Sequence, residues 1–177
     1  ETTAFVSSAA NSEDTARRVA RSHPAPLSDD AAPAMIGRYE IRGVLGSGGM
    51  GTVLHGFDPL LKRSLAIKVI RSQQLNSEMC ARLVREAQAA AAVEHDHIVP
   101  IYAAEIYDGA PCIMMPLLRG VTLKQFLDAN SGPLSLAEIL RIGREAASGL
   151  AAAHAMGLIH CDIKPANLWL EAPRDRV

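Results

Sequence analysis

At 177 residues, with 49% hydrophobic and 21% charged side chains, the chain has room for one globular core and a tail. Eighteen Lys and Arg nearly balance nineteen Asp and Glu with no basic run, which argues against a nucleic-acid partner or an anionic membrane surface. Cys80, Cys112 and Cys161 are widely spaced, odd in number and without a Cys-x-x-Cys pair, so neither a disulfide framework nor a zinc site is expected, and a reducing cytoplasm fits. No window supplies the roughly 18 uncharged apolar residues of a membrane span. With no initiator Met and no signal pattern at Glu1, the chain is expected to be a piece of a longer product.

Residues 1 to about 37 are rich in Ala, Ser, Asp and Pro, lack an apolar period, and read as a flexible tail to which no fold is assigned. From Arg38 the texture changes to short apolar runs. Strands are predicted near 39–46, 51–58, 64–70, 99–106 and 111–116, with Asp108-Gly109 as the tight turn between the last two. A helix begins near Ser77, after the third strand. A longer one starts at Ser135, whose hydroxyl makes a capping box with Glu138, and stops at Gly157 in the left-handed conformation. The Ala-rich stretches Ala89 to Ala92 and Ala151 to Ala153 suit helices that pack closely.

Three segments carry chemistry. The first is Leu45-Gly46-Ser47-Gly48-Gly49-Met50-Gly51-Thr52-Val53, a G-x-G-x-x-G-x-V spacing whose side-chain-free positions let backbone N–H groups lie over phosphates. A Rossmann loop would open into a helix, yet Thr52 to Phe57 reads as a strand ending at an Asp58-Pro59 turn. A Walker loop would need a Lys after its last glycine, and Thr52 stands there. A strand-loop-strand cradle is what survives.

The second segment is Leu65-Ala66-Ile67-Lys68-Val69-Ile70, an apolar strand with one charge, and alternation puts Lys68 on the face of Ala66 and Ile70. A snorkelling edge lysine is the plain alternative. On the following helix, Met79, Leu83, Glu86 and Ala90 fall in one stripe while Arg82, Arg85 and Gln88 point away. A carboxylate centred on a buried face needs a cation, so a Glu86–Lys68 ion pair is expected to explain both charges.

The third segment follows the long helix: Leu158-Ile159-His160-Cys161-Asp162-Ile163-Lys164-Pro165-Ala166-Asn167-Leu168-Trp169-Leu170, close to H-R-D-L-x-x-x-N. With the glycine loop and the Ala-Ile-Lys strand in order before it, residues 38–177 resemble the bacterial eukaryotic-like Ser/Thr protein kinases, as far as the start of the C-terminal lobe. The resemblance implies an α+β fold. A five-stranded antiparallel N-lobe sheet with its helix and the hinge would occupy 38–118, and a partial, mainly helical C-lobe 119–177.

It also implies roles. ATP and magnesium would be the cofactors and a protein Ser or Thr the acceptor. Asp162 would orient the acceptor hydroxyl and take its proton, Lys164 would steady the transferring phosphoryl group and Asn167 would ligate magnesium, while Glu86 would hold Lys68 against the phosphates. Met115 would be the gatekeeper. The Pro116 carbonyl and Leu118 backbone would bond adenine, with Val53, Ala66 and Trp169 sandwiching it; Trp169 could equally be a core residue of its strand. His160 is read as structural, bonding the catalytic loop's backbone.

Two departures from the family pattern stand out. Cys161 replaces the usual Arg that receives an activation-loop phosphate, so control independent of that phosphate is expected. No Asp-Phe-Gly follows Asn167, and Asp175, followed by Arg176-Val177, does not replace it. A nucleotide-binding pseudokinase, or a truncated product without independent function, is therefore the rival expectation, and the chain alone is expected to be inactive with Leu136, Ile139, Leu140 and Leu150 uncovered.

Overall fold

The computed structural model describes residues 5–8, 34–49, 51–71, 76–130 and 132–172. Their contacts divide the chain into two units. The described residues of Pro24–Ala92 and Pro100–Leu117 form one, and those of Glu1–His23, Val93–Val99 and Leu118–Val177 form the other.

In the first unit, strands β2 (Met35–Ile36), β3 (Tyr39–Gly48), β4 (Gly51–Asp58), β5 (Arg63–Ile70), β6 (Ala103–Tyr107) and β7 (Ala110–Pro116) form a six-stranded sheet in the order β2-β3-β4-β5-β7-β6. Every neighbouring pair is antiparallel. The five expected strands are present, and the short β2 joins them from within the stretch expected to be tail. The strand expected from residue 99 starts four residues later, because Pro100 has no N–H for a ladder. Asp108 and Gly109, at φ 48° and 76°, make the two-residue turn that closes β6 on β7. After β4, Asp58 is buried and accepts from the Leu60 and Leu61 amides at 3.0 and 3.2 Å and from Arg38 at 3.0 Å, so its carboxylate holds the turn.

Alternation gives the sheet two apolar faces. Leu54, Leu65, Ile67, Cys112 and Met114 pack on one with Ile36 and Tyr39, and burying a side chain such as Ile67 contributes about 1.5–3 kcal/mol. On the other, Ala104 and Ile113 meet Ala87 and the partly buried Val84 of α1 (Ser77–Ala90), which is capped by the Asn76 side chain accepting from Met79 N–H at 2.8 Å.

In α1 the structure corrects the expected buried stripe. Its buried residues are Cys80 and Ala87, with Val84 between them, while Met79 is 45% exposed. The spacing i, i+4, i+7 is equally helical, and the small side chains let the helix lie close enough for Cys80 Sγ to reach the Gly109 carbonyl at 3.6 Å.

The second unit holds a three-stranded sheet in the order β1 (Phe5–Ser8), β9 (Leu168–Glu171), β8 (Gly120–Thr122). β1 pairs with β9 in parallel and β8 pairs with it antiparallel. The strand at Phe5–Ser8 falls within the stretch read as a flexible tail with no fold assigned; the rest of that stretch before Ala34 lies outside the described residues. Helix α2 (Leu123–Ala129) begins in a capping box of Thr122 and Gln125, and α3 (Leu136–Ala155) in one of Ser135 and Glu138. At the end of α3, Gly157 is at φ 75°, its N–H bonds the His154 carbonyl and the Leu158 N–H bonds Ala153, a Schellman stop. Val121, Leu123, Phe126, Ile142 and Leu170 form one core, and Val93, Ile98 and Ala153 with partly buried Leu150 and Leu158 form another. His95 fastens the Val93–Val99 segment to α3 through Ser148 Oγ at 3.1 Å.

Candidate active site

The glycine loop is the hairpin between β3 and β4, with Gly48 opposite Gly51 in register. Its glycines divide by cause. Gly51 has φ 149°, and a Cβ there would lie 2.1 Å from the Val69 carbonyl oxygen, so the fold itself demands glycine. At Gly46, Gly48 and Gly49 a Cβ would meet nothing within 4 Å, and none has a positive φ. Neither packing nor backbone conformation explains glycine at those positions. Around them, Ser47 Oγ lies 3.4 Å from Thr52 Oγ1, Arg71 reaches Ser47 Oγ at 3.4 Å, and Leu45 is 37% exposed. Met50 lies outside the described residues.

Register places Val53 opposite Lys68, and Ala66 opposite both His55 on β4 and Met115 on β7, so Val53, Ala66, Lys68, Ile113 and Met115 share one face. Pro116 ends β7. His55 joins that face unanticipated. Its Nε2 is buried with no hydrogen-bond partner among the described residues, and burial, then the Arg42 charge, hold its pKa below the usual histidine value.

Glu86 does not stand where the helical stripe put it. Its side chain is 49% exposed and accepts from Arg82 Nε at 2.7 Å, one turn back on α1. The argument from a buried carboxylate therefore does not hold, and the exposed i,i+4 pair contributes only about 0.3–0.5 kcal/mol.

In the second unit the catalytic loop is tightly bonded. Asp162 Oδ2 receives Lys164 Nζ at 2.7 Å and Asn167 Nδ2 at 3.0 Å, and the same Nδ2 reaches the Asp162 carbonyl at 2.8 Å. The Asp162 N–H donates to Nδ1 of buried His160 at 3.2 Å, which is the structural role expected of that histidine. The Lys164 bond first, then Asn167, hold the Asp162 carboxyl below its ordinary pKa, so it is ionised near neutrality. With Oδ2 doubly bonded, Oδ1 is the oxygen left to accept from a hydroxyl. With Nδ2 committed to Asp162, Asn167 presents Oδ1 as its acceptor, a hard oxygen suited to magnesium. Among the described residues no group of three or more His, Cys, Asp or Glu could hold a metal unaided.

Cys161, beside Asp162, is exposed and takes φ 55°, a left-handed conformation unusual for a non-glycine residue. Trp169 is half-buried in β9, and its Nε1–H donates to the Arg119 carbonyl at 3.2 Å. Leu118, also half-buried, belongs to this second unit, one residue past the first.

The chain thus carries a glycine hairpin, a lysine on the sheet face next to it, and a hydrogen-bonded Asp-Lys-Asn loop. Residues 39–176 match the protein kinase domain family, and the chain belongs to it. It is 40% identical over 136 residues to the serine/threonine-protein kinase PrkC of Bacillus subtilis, covering 76% of this chain and 21% of that protein. Against the serine/threonine-protein kinase PknE of Mycobacterium tuberculosis it is 37% identical over 138 residues, covering 77% of this chain and 24% of that protein. The crystal structure of the M. tuberculosis PknI kinase domain superposes with a TM-score of 0.71 at 28% identity, covering 80% of this chain and 61% of that one. The chain thus spans between a fifth and a quarter of the length of these two curated relatives. Among the described residues no helix is long and apolar enough to cross a membrane.

Proposed function

We propose that the protein to which this chain belongs transfers the γ-phosphoryl group of ATP to a Ser or Thr hydroxyl of a protein. The observation that carries this reading is the Asp162–Lys164–Asn167 network, which keeps a carboxylate ionised with one oxygen available beside an amide oxygen. Asp162 Oδ1 orients the acceptor hydroxyl and takes its proton as the phosphoryl group moves, and Lys164 both lowers the Asp162 pKa and supplies positive charge. The bare backbone at Gly46, Gly48 and Gly49 takes the phosphates, with Lys68 as their cation, while Val53, Ala66, Met115 and Pro116 of the same unit contact adenine; Leu118 and Trp169, the other residues proposed for the base, belong to the second unit. Asn167 Oδ1 would hold part of the magnesium shell, and that ion would supply positive charge to the phosphates.

A protein acceptor is favoured by Lys164 and by the serine/threonine-kinase names of the relatives. The near-neutral charge gives no support to a nucleic-acid partner, and the unpaired cysteines fit reaction in the cytoplasm. The test is labelled-phosphate transfer by the full-length protein. Lys68→Met and Asp162→Asn should each lower transfer by about 10²-fold or more while the melting temperature stays within a few degrees. Transfer at the parent rate in either variant overturns the assigned roles.

One observation favours a second reading, a module that binds ATP without transferring phosphate: Glu86 is engaged by Arg82. Magnesium-dependent ATP binding by the full-length protein with no transfer to itself or to a basic protein would establish that reading.

A further inference from the structure

Alternation along β4 gives the glycine hairpin two sides. Val53 stands opposite Lys68, on the face proposed for the nucleotide. Ser47 and Thr52 stand opposite each other and in line with Val69, which packs with Leu54 and Ile67 on the other face of the sheet. Arg71, two residues beyond Val69, reaches back to that side. Its Nη2 donates to Ser47 Oγ at 3.4 Å, and Thr52 Oγ1 lies 3.4 Å from the same oxygen. One guanidinium and two hydroxyls are thus gathered where the handling of ATP leaves them without a task.

Arg71 is exposed, and among the described residues it forms no ion pair; its hydrogen-bond partner is Ser47. A bond of 3.4 Å is weak, so the guanidinium is in reach of the hydroxyl without being committed to it. Residues 45–53 contain no Asp or Glu to compete for it. Ser47 is exposed, whereas Thr52 is half-buried. On either side of Ser47, a Cβ at Gly46 or Gly48 would meet nothing within 4 Å, which leaves the hydroxyl open to approach.

The geometry points to Ser47 as a site of phosphorylation, with Arg71 as the receptor of the phosphate. This inference rests on the Ser/Thr phosphotransferase reading. A second copy of the protein is the donor enzyme, because Ser47 lies on the side of its own hairpin away from the nucleotide face. In the step, Ser47 Oγ forms a bond to the γ-phosphorus of ATP as the bond to the β,γ-bridging oxygen breaks. ADP leaves with that electron pair, and the hydroxyl proton passes to the second copy's Asp162 carboxylate. The product carries about −1.5 to −2 charges near neutrality, and a charge-assisted bond to Arg71 replaces the loose contact. Arg71 offsets about one of those charges. The hairpin at Gly46 and Gly48 is left net negative and repels the phosphates of ATP, so the modification is a brake on nucleotide binding set by the kinase's own activity.

Phosphopeptide mapping tests the site. Full-length protein is incubated with labelled ATP and magnesium beside a generic basic protein. Label is expected on Ser47, is lost in Ser47→Ala, and is expected on Ser47 of full-length Asp162→Asn protein mixed with the parent. Transfer to the basic protein with Ser47 unlabelled, or with label on Thr52 in its place, overturns the site and leaves the phosphotransferase reading standing. No transfer to any protein removes both. Label on the parent but none on the Asp162→Asn protein overturns transfer between copies.

A second measurement isolates Arg71. With phosphoserine installed at position 47 of the full-length protein, phosphorus NMR should give a second phosphate pKa at least about 0.5 below the usual value near 6, and Arg71→Gln should restore that value. ATP should bind the phosphoserine protein at least about threefold more weakly than the parent. The same phosphate pKa with and without Arg71 overturns its role as receptor, and equal ATP affinity overturns the brake.

Discussion

Asp162 carries two bonds on one oxygen, and this asymmetry can be measured. Its folded pKa is depressed, so the stabilisation from its pairing is fully present above the ordinary carboxylate range and is lost as pH falls through the depressed value. Lys164→Ala removes the largest cause, and the Asp162 titration should move up toward an ordinary aspartate; carboxyl carbon NMR would show it, and an unmoved titration would refute the assignment of Lys164 as the cause. Next to it, Cys161 holds φ 55° with an exposed side chain, so replacement loses little burial and mainly changes backbone strain. Cys161→Gly should stabilise the chain by about 1 kcal/mol and Cys161→Val should destabilise it by a similar amount, read from urea melts. Nothing in the motif pattern announced that conformation; the sequence showed only that Arg was missing there. The role of His160 was legible, because a histidine two residues before Asp162 is within reach of that residue's backbone N–H.

At the scale of elements, the glycine hairpin separates two reasons for the same residue. Gly51→Ala should cost about 2–4 kcal/mol through the clash with the Val69 carbonyl and the positive φ, whereas Gly46→Ala and Gly48→Ala should leave stability within about 1 kcal/mol and weaken ATP binding. Thermal melts beside nucleotide titration would check it, and a stability loss at Gly48 equal to that at Gly51 would contradict the division. At the head of α3, Ser135→Ala removes the acceptor of the Glu138 N–H at 3.3 Å and should cost about 1 kcal/mol in the same melts. That capping box, the Gly157 stop and the Asp108-Gly109 turn were all readable, because each is set by a few adjacent residues. The buried face of α1 was not. Met79 and Leu83 outrank Cys80 and Ala87 in hydrophobicity, yet the sheet selects small side chains that allow close approach, and Glu86 moved off the buried face with the stripe that contained it. β1 was missed for a related reason, since four residues paired to a strand 163 positions away leave no local period to read.

For the whole molecule, three motifs in order were enough to name the kinase family, since each excludes a different set of rivals. The expected exposure of the long helix is present in part: Leu136, Ile139 and Leu140 are 71%, 51% and 63% exposed, while Leu150 packs half-buried against the core around Val93. Leu136→Gln with Leu140→Gln should therefore reduce concentration-dependent association in light scattering, with no loss of melting temperature. A drop in stability in that variant would show that the face is covered. The division of the chain also bears on its synthesis. Val93 and Ile98 emerge from the ribosome well before Leu150, Ala153 and Leu158, the residues that bury them. At ordinary translation rates the 55 positions from Ile98 to Ala153 take roughly 3–10 s. Once Pro116 has emerged, the strands of the first unit are all available while the segment between α1 and β6 still holds bare apolar side chains, so a nascent chain paused between Pro116 and Leu150 is the form of this protein most exposed to chaperones.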